Sequence, residues 1–304
     1  MSKTLVIILG ETRAHQLTFS NFKENVIDRL QADLCLCIGI KPDYDIDNQF
    51  YKLAKYRFLY YETEDFGGAF DYAYKLLCEE LKTTNSPDPL HWREFLKIKD
   101  QFLGGVKDEK DQHPGSGAIL IFFRWFLLKN LIENDLINKY DRFVITRSDF
   151  IYQLPHPKLE FMSENNIWIP DAEHYSGYTD RHVVLSKTNI EPYLNILNNL
   201  VTRSYEYFYK MMGKSDWNLE QLIKFHLEQN KVVNLVKEFP YIMYSVRPLN
   251  GSTRWATGTY SNKLGYYIKY EGEYNKSTTY KAKYNTSGLG IDDFYLQYFK
   301  CPDT

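Results

Sequence analysis

Leu5-Val6-Ile7-Ile8-Leu9-Gly10-Glu11-Thr12-Arg13 is a short apolar run that ends in a glycine and a group of polar side chains. A run of this length bounded by turn residues reads as a buried strand, and the segments after it decide which sheet it joins. Ser20–Leu30 carries helical periodicity with Ser20 as N-cap. Ala32–Ile40 is a second apolar strand, Tyr56–Tyr61 a short third, and a helix runs from about Gly68 to Lys82. Strands alternating with helices are the pattern of parallel βαβ units.

Further along, Ala118–Glu133 is almost continuously apolar and long enough for a buried helix, which leaves Arg124 where a charge needs a partner. Arg142–Thr146 is another strand, ending in Arg147-Ser148-Asp149, and Asn166–Pro170 is a further short one. Helices are expected over Ile190–Met212 and Leu219–Asn230, the second capped by Ser215 or Asp216. Beyond Pro240, Tyr, Thr, Gly and Lys fill strand-like stretches such as Tyr266–Tyr270. The expected fold is α/β: a mixed, mostly parallel central sheet flanked by helices. It forms a single domain, with residues 1–240 as its body and a β-rich C-terminal extension, 241–304, packed on it.

At 304 residues one large α/β domain is within reach, and a hydrophobic fraction of 44% can fill its interior. Aromatic content of 16%, with 26 Tyr, exceeds what a core needs, so some rings are expected at surfaces or in a cleft. A net charge of −2 provides no general footprint for nucleic acid and no polybasic membrane patch. The first apolar run is too short for a signal peptide, and no run approaches the roughly 18 apolar residues of a membrane span. A cytoplasmic protein without membrane insertion is expected. Cys35, Cys37, Cys78 and Cys301 form no CxxC pair and read as reduced thiols.

In open α/β sheets ligands bind outside the carboxyl ends of the strands, so polar residues just after apolar strands are the first candidates. Gly10-Glu11-Thr12-Arg13 is one such exit: the glycine lets backbone N–H groups approach a ligand, and Arg13 can pair with a phosphate. A tight turn with a surface arginine would give the same sequence. Arg147-Ser148-Asp149 is the second exit. A carboxylate held at a strand end can bind Mg²⁺ or Mn²⁺ together with substrate phosphates, although Asp149 could also serve only the turn before Pro155.

The loop Glu173-His174-Tyr175-Ser176-Gly177-Tyr178-Thr179-Asp180-Arg181-His182 concentrates carboxylate, imidazole and guanidinium within ten residues, as binding loops do. Its histidine spacing does not match a zinc site. Asp216-Trp217-Asn218-Leu219-Glu220 opens a helix, where an acid has an ordinary role as a cap but could also act as a general base beside an aromatic platform.

These exits, the Asp180-Arg181 pair and the acid-initiated helix occur in an order that resembles the GT-A type glycosyltransferases, specifically those encoded by large algal (chlorella) viruses. The stretches that carry the resemblance are LVIILGETRAH (5–15), RFVITRSDFIY (142–152), IWIPDAEHYSGYTDRHVVLS (167–186), DWNLEQLIKFHLEQN (216–230) and TRWATGTYSNKLGYYIKYEGEY (253–274). The resemblance implies a GT-A-like catalytic body, a nucleotide-sugar donor (a UDP-sugar first), Mn²⁺ or Mg²⁺, and transfer of a sugar to a glycan hydroxyl. In such folds the last acid of a DxD triplet ligates the metal. The matching triplet here is Arg147-Ser148-Asp149, so Asp149 carries over as metal ligand while arginine replaces the first acid.

Donor contacts then fall to Gly10, Glu11, Thr12, Arg13, Arg124, Arg147, Ser148 and Asp149. Acceptor contacts fall to Glu173, His174, Tyr175, Tyr178, Arg181, His182 and Trp217, with Trp168 as a further ring. The base is expected among Asp180, Asp216 and Glu220. The resemblance also implies xylose moved from UDP-xylose to fucose on a viral capsid glycan, in the host cytoplasm. Two readings of other classes compete: a non-catalytic carbohydrate-binding or capsid-associated protein, and a metal-dependent phosphohydrolase or nucleotidyltransferase. The latter sites usually gather several acids around their metals.

Overall fold

The computed structural model describes residues 2–62, 66–83, 89–96, 117–213, 217–249 and 257–299. Eleven strands are found among them, in two sheets. In chain order they are β1 (Thr4–Gly10), β2 (Asp33–Ile40), β3 (Tyr56–Tyr61), β4 (Arg142–Thr146), β5 (Phe150–Tyr152), β6 (Ile167–Pro170), β7 (Val183–Ser186), β8 (Val236–Phe239), β9 (Met243–Arg247), β10 (Thr259–Ser261) and β11 (Tyr266–Ile268). The larger sheet has the order β3-β2-β1-β4-β7-β6-β8. Only β7 runs against its neighbours, antiparallel to both β4 and β6. This is the mixed, mostly parallel α/β architecture expected, with helices on both faces.

Alternation along the strands divides the interior in two. Leu5, Ile7, Leu9, Cys35, Cys37, Phe143 and Ile145 face one core, built with the Phe66–Lys82 and Gly117–Glu133 helices. Val6, Ile8, Leu34, Leu36, Ile38 and Val144 face the other, where Phe22, Phe50, Tyr280, Phe294 and Tyr295 meet them. Strands covered on both sides read as unbroken apolar runs, which is why β1, β2 and β4 are visible in the sequence. Cys35 and Cys37 are buried free thiols in the first core. Among the described residues no helix is long and apolar enough to cross a membrane.

The smaller sheet, β10-β11-β9-β5, is antiparallel and begins immediately after Asp149. Phe150 of β5 registers with Ser245 of β9, and Tyr267 of β11 with Arg247. The sheet therefore brings C-terminal residues to the carboxyl end of β4.

Four elements differ from the sequence reading. The first helix begins at His15, behind Ala14, and continues as a π-helix over Lys23–Asp28, so Ser20 lies within it and does not cap it. The span Ile190–Met212 is three helices, Ile190–Leu194, Ile196–Thr202 and Ser204–Met212, interrupted at Asn195 and Arg203 where the backbone leaves helical geometry. The C-terminal extension is β-rich only to Ile268, after which Glu271–Ser287 and Ile291–Phe299 are helices. Tyr and Thr favour strands by propensity, but Ser277, Tyr280 and Tyr284 lie at helical spacing and pack inward. The Leu219–Gln229 helix is capped by Asn218, whose Oδ1 accepts from the N–H of Gln221 at 2.8 Å; Ser215 and Asp216 lie outside the described residues.

Candidate active site

Strand order reverses between β1 and β4: the chain moves outward from β1 through β2 to β3, then returns to place β4 on the other side of β1. Ligands collect at such switch points because the two loops diverge and leave a crevice. The loops here are the two strand exits, Gly10–Arg13 and Arg147–Asp149. Gly10 takes a φ of +107°, open to glycine and rarely to other residues, and so turns the chain out of the sheet. Ser148 fastens the exits together, its Oγ donating to the carbonyl of Glu11 at 2.7 Å and lying 3.2 Å from that of Arg13. Its own carbonyl accepts from Thr18 Oγ1 at 2.6 Å.

Asp149 is only 2% exposed. Arg147 grips it with both prongs of its guanidinium, Nε to Oδ1 and Nη2 to Oδ2, each at 2.8 Å. Arg247 Nη1 also donates to Oδ2. Burial alone would push this carboxyl up, but Arg147 and Arg247 override it and hold the group well below the usual carboxylate range. Arg13, paired with Glu11 through Nη2 and Oε1 at 2.6 Å, adds to the same field. Lys269, just past β11, is also buried, with its ammonium 4.8 Å from the centre of the Tyr270 ring. Burial, reinforced by Arg147 and Arg247, pulls its amine down to about 7. Four basic side chains thus surround one carboxylate.

A divalent cation does not fit these residues. Both oxygens of Asp149 accept from guanidinium groups, and the nearby charges are positive. No group of three carboxylate, imidazole or thiol side chains among the described residues could hold a metal ion. The metal role that the sequence gives Asp149 is replaced by that of a buried counter-ion.

Beside this cluster, outside the carboxyl ends of β1, β2 and β3, opens a cleft of about 450 Å³. Glu11, Thr12, Arg13, Lys41, Tyr44 and Glu62 are among the residues lining it. Thr12 Oγ1 lies 2.8 Å from the Tyr44 hydroxyl, which also accepts from Asn48 Nδ2 at 2.8 Å.

Two acids from the sequence reading, Asp180 and Glu220, interact electrostatically with one another, and Asp180 also reaches Arg147. Burial, reinforced by Asp180, pushes the Glu220 carboxyl up to about 7. The backbone explains the pairing. The N–H of Tyr178 donates to the carbonyl of Glu220 at 2.9 Å, and a Cβ on Gly177 would stand 2.0 Å from that carbonyl. Only glycine lets the loop seat itself on the start of this helix. Glu173, Tyr175 and Ser176 take φ values of 62°, 42° and 67°, a concentration of left-handed backbone that the surrounding contacts must hold in place. Arg124 is buried beneath the acids and donates from Nη2 to the Asp180 carbonyl at 3.2 Å. Its place is under the acid pair.

Most of the remaining candidates are engaged by contacts within the fold. Arg181 is held between Glu173, at 3.1 Å, and the fully buried Glu273, whose Oε2 accepts from the Ser245 N–H at 2.6 Å. It ties the loop to the C-terminal helix. His174 Nε2 lies 3.1 Å from Glu238. Trp217 is packed in the first core against Phe225 and donates from Nε1 to the Met211 carbonyl at 3.1 Å. Trp168 sits in the second core and donates to Ser163. Tyr175 is half exposed, and Tyr178 packs partly on the first core.

His182 is buried and faces His156 across a gap of 3.2 Å between the two Nε2 atoms. The carbonyl of Pro157, 2.7 Å from His156 Nδ1, can only accept, so that nitrogen carries the hydrogen and His156 Nε2 is bare. His182 Nε2 must then donate, and its Nδ1 accepts from Thr146 Oγ1 at 3.0 Å. The chain runs in one direction with both rings neutral. Burial pushes His156 down to about 4 and His182 well below the usual imidazole range. A group whose folded pKa is depressed and whose charged form is the protonated one loses stability as pH falls. From pH 6.5 to 4, His156 alone is expected to remove about 3 kcal/mol. Urea titrations across that range check this, and His156→Gln should flatten the dependence.

No protein-family model and no curated protein matches the chain. Among solved structures it is similar to the crystal structure of mouse xyloside xylosyltransferase 1 in its apo form. The two share 9% identity over 78% of this chain and 85% of that one, with a TM-score of 0.35.

Proposed function

We propose that this chain is a nucleotide-sugar-dependent glycosyltransferase that moves a sugar to a glycan hydroxyl with inversion. The observation that carries this reading is the order of groups around the switch point: a polar cleft, a cluster of four basic side chains, then an acid held near neutrality. Each has a part in such a transfer. The cleft, with the Tyr44 ring and the Thr12 and Glu62 side chains, takes the nucleoside. Arg13, Arg147, Arg247 and Lys269 face the diphosphate, whose negative charge grows as the bond to the anomeric carbon breaks.

Glu220 takes the proton of the acceptor hydroxyl as that oxygen attacks from the opposite face, and a base titrating near 7 is well matched to this work. Burial holds the base in that range, and Asp180, which acts on both Glu220 and Arg147, adds to it. Tyr175 and Tyr178 border the acceptor side. UDP-xylose is the first donor to test and a fucose-containing glycan, such as one on a viral capsid protein, the first acceptor. Both follow from the resemblance of the motifs quoted above. A phosphohydrolase or nucleotidyltransferase reading has no comparable support, because its acids would have to cluster where this site places arginines.

Calorimetric titration with UDP, followed by release of free sugar from a panel of UDP- and GDP-sugars, tests the reading. Micromolar to millimolar UDP binding and slow hydrolysis of one donor are expected. A protein that binds glycans but no nucleotide under any condition would belong to the non-catalytic class instead.

A further inference from the structure

The four basic side chains do more than surround Asp149. Arg247 is 1% exposed, yet among the described residues only its Nη1 has acceptors, in Asp149 and in the carbonyl of Val246 at 2.7 Å. Its Nε and Nη2 are buried and have no partner among the described residues. Buried donors of a charged group left without acceptors are strongly unfavourable, and a bound water, ion or ligand is one way such donors are satisfied. Lys269 is buried too, among arginines and against an aromatic ring. Arg147 spends Nε and Nη2 on Asp149 but keeps part of its side chain, 23%, open. Arg13 stands at the border between this cluster and the nucleoside cleft.

The charges do not balance. Asp149, Glu11 and Asp180 face Arg13, Arg147, Arg247 and Lys269, which leaves an excess of at most one positive charge when Lys269 is protonated, in surroundings dry enough to pull that amine out of its ordinary range. An anion with several oxygen acceptors and two or more negative charges complements this arrangement, whereas a divalent cation would add to the excess.

We propose that Arg13, Arg147, Arg247 and Lys269 bind the diphosphate of the donor directly and do the work of a divalent cation, so that donor binding needs no metal. Asp149 is then a positioning residue. It spreads Arg147 and Arg247 at a fixed angle and leaves their remaining N–H groups for phosphate oxygens. The inference rests on the transferase reading for the identity of the ligand, but its chemistry, a diphosphate held by guanidinium and ammonium groups, can be tested apart from any sugar.

The experiment is calorimetric titration of the full chain with inorganic pyrophosphate and with UDP, each in EDTA and each in Mn²⁺. The variants Lys269→Met and Arg247→Gln are run alongside, with thermal melting to establish that they fold. Both probes are expected to bind equally well with EDTA and with Mn²⁺. Lys269→Met, the milder change, should weaken both by about tenfold, the effect of one charge-assisted contact.

UDP binding that appears only when Mn²⁺ is present would overturn the metal-free inference and leave the transferase reading intact. Metal-free binding that both folded variants retain at wild-type strength would overturn the assignment to this cluster. Failure of UDP and pyrophosphate to bind in either condition would overturn the transferase reading together with the inference.

Discussion

Asp149→Ala is expected to destabilise the folded chain by about 3–5 kcal/mol, the size of effect seen when one partner of a buried ion pair is removed. The carboxylate is the shared acceptor of Arg147 and Arg247. Without it Arg247, already short of acceptors at Nε and Nη2, loses its side-chain partner at Nη1 as well. Arg13, Arg147 and Arg247 are then left to repel one another at the junction of the two sheets. Asp149→Asn keeps the volume and one acceptor oxygen and should lose less.

Urea denaturation near neutral pH measures both variants, and a midpoint for Asp149→Ala within error of wild type would refute the counter-ion role. Pyrophosphate, by supplying acceptors, should recover part of the loss. The pH dependence is informative too. A carboxyl held below its unfolded value contributes stability above the unfolded pKa and loses it as pH falls through the folded one. Asp149 therefore keeps its contribution through the window in which His156 loses its own, and the two transitions should separate.

This part of the site was only half legible in the sequence. Strands covered on both faces announce themselves, and the residues that follow them, Glu11, Arg13, Arg147 and Asp149, could be picked out from position alone. Arg247 and Lys269 could not. They belong to β9 and to the turn after β11, about a hundred residues later, and reach Asp149 because β5 pairs with β9. A signal was present: Met243-Tyr244-Ser245-Val246-Arg247 ends a strand-forming run in a charge, and a charge on a buried strand requires a partner. The sequence gives no indication which acid that partner is.

The same limit accounts for His182 and Trp217, whose residue types suit a sugar site but whose neighbours, Thr146 and Phe225, place them in the interior. β7 escaped the reading because it is four residues long and follows a polar loop. It is also the strand that reverses direction, and so the one that sets Asp180 and Arg181 beside β4.

Glu220→Gln is expected to lower kcat by about 10²–10⁴-fold, the usual range for loss of a general base, while the Kd for UDP stays within about twofold of wild type. Gln keeps the shape and the helix start but cannot take a proton. The pH profile of the intact enzyme carries a sharper signature. Activity expressed as kcat/KM should fall below about pH 7 as Glu220 is protonated, because a carboxyl pushed up by burial and by Asp180 is the group that must be ionised. It should also fall above about pH 7 as free Lys269 loses its charge, giving a narrow bell.

Bound diphosphate favours the ammonium form, so in kcat the alkaline limb should move to higher pH while the acid limb stays. Asp180→Asn removes the like charge that helps raise Glu220, and the acid limb should then move to lower pH without disappearing. Burial, the larger cause, remains. If instead Asp180→Asn abolishes turnover and Glu220→Gln merely shifts the limb, the two acids have exchanged roles: Asp180, nearer the cationic cluster through Arg147, would be the base and Glu220 the group that tunes it.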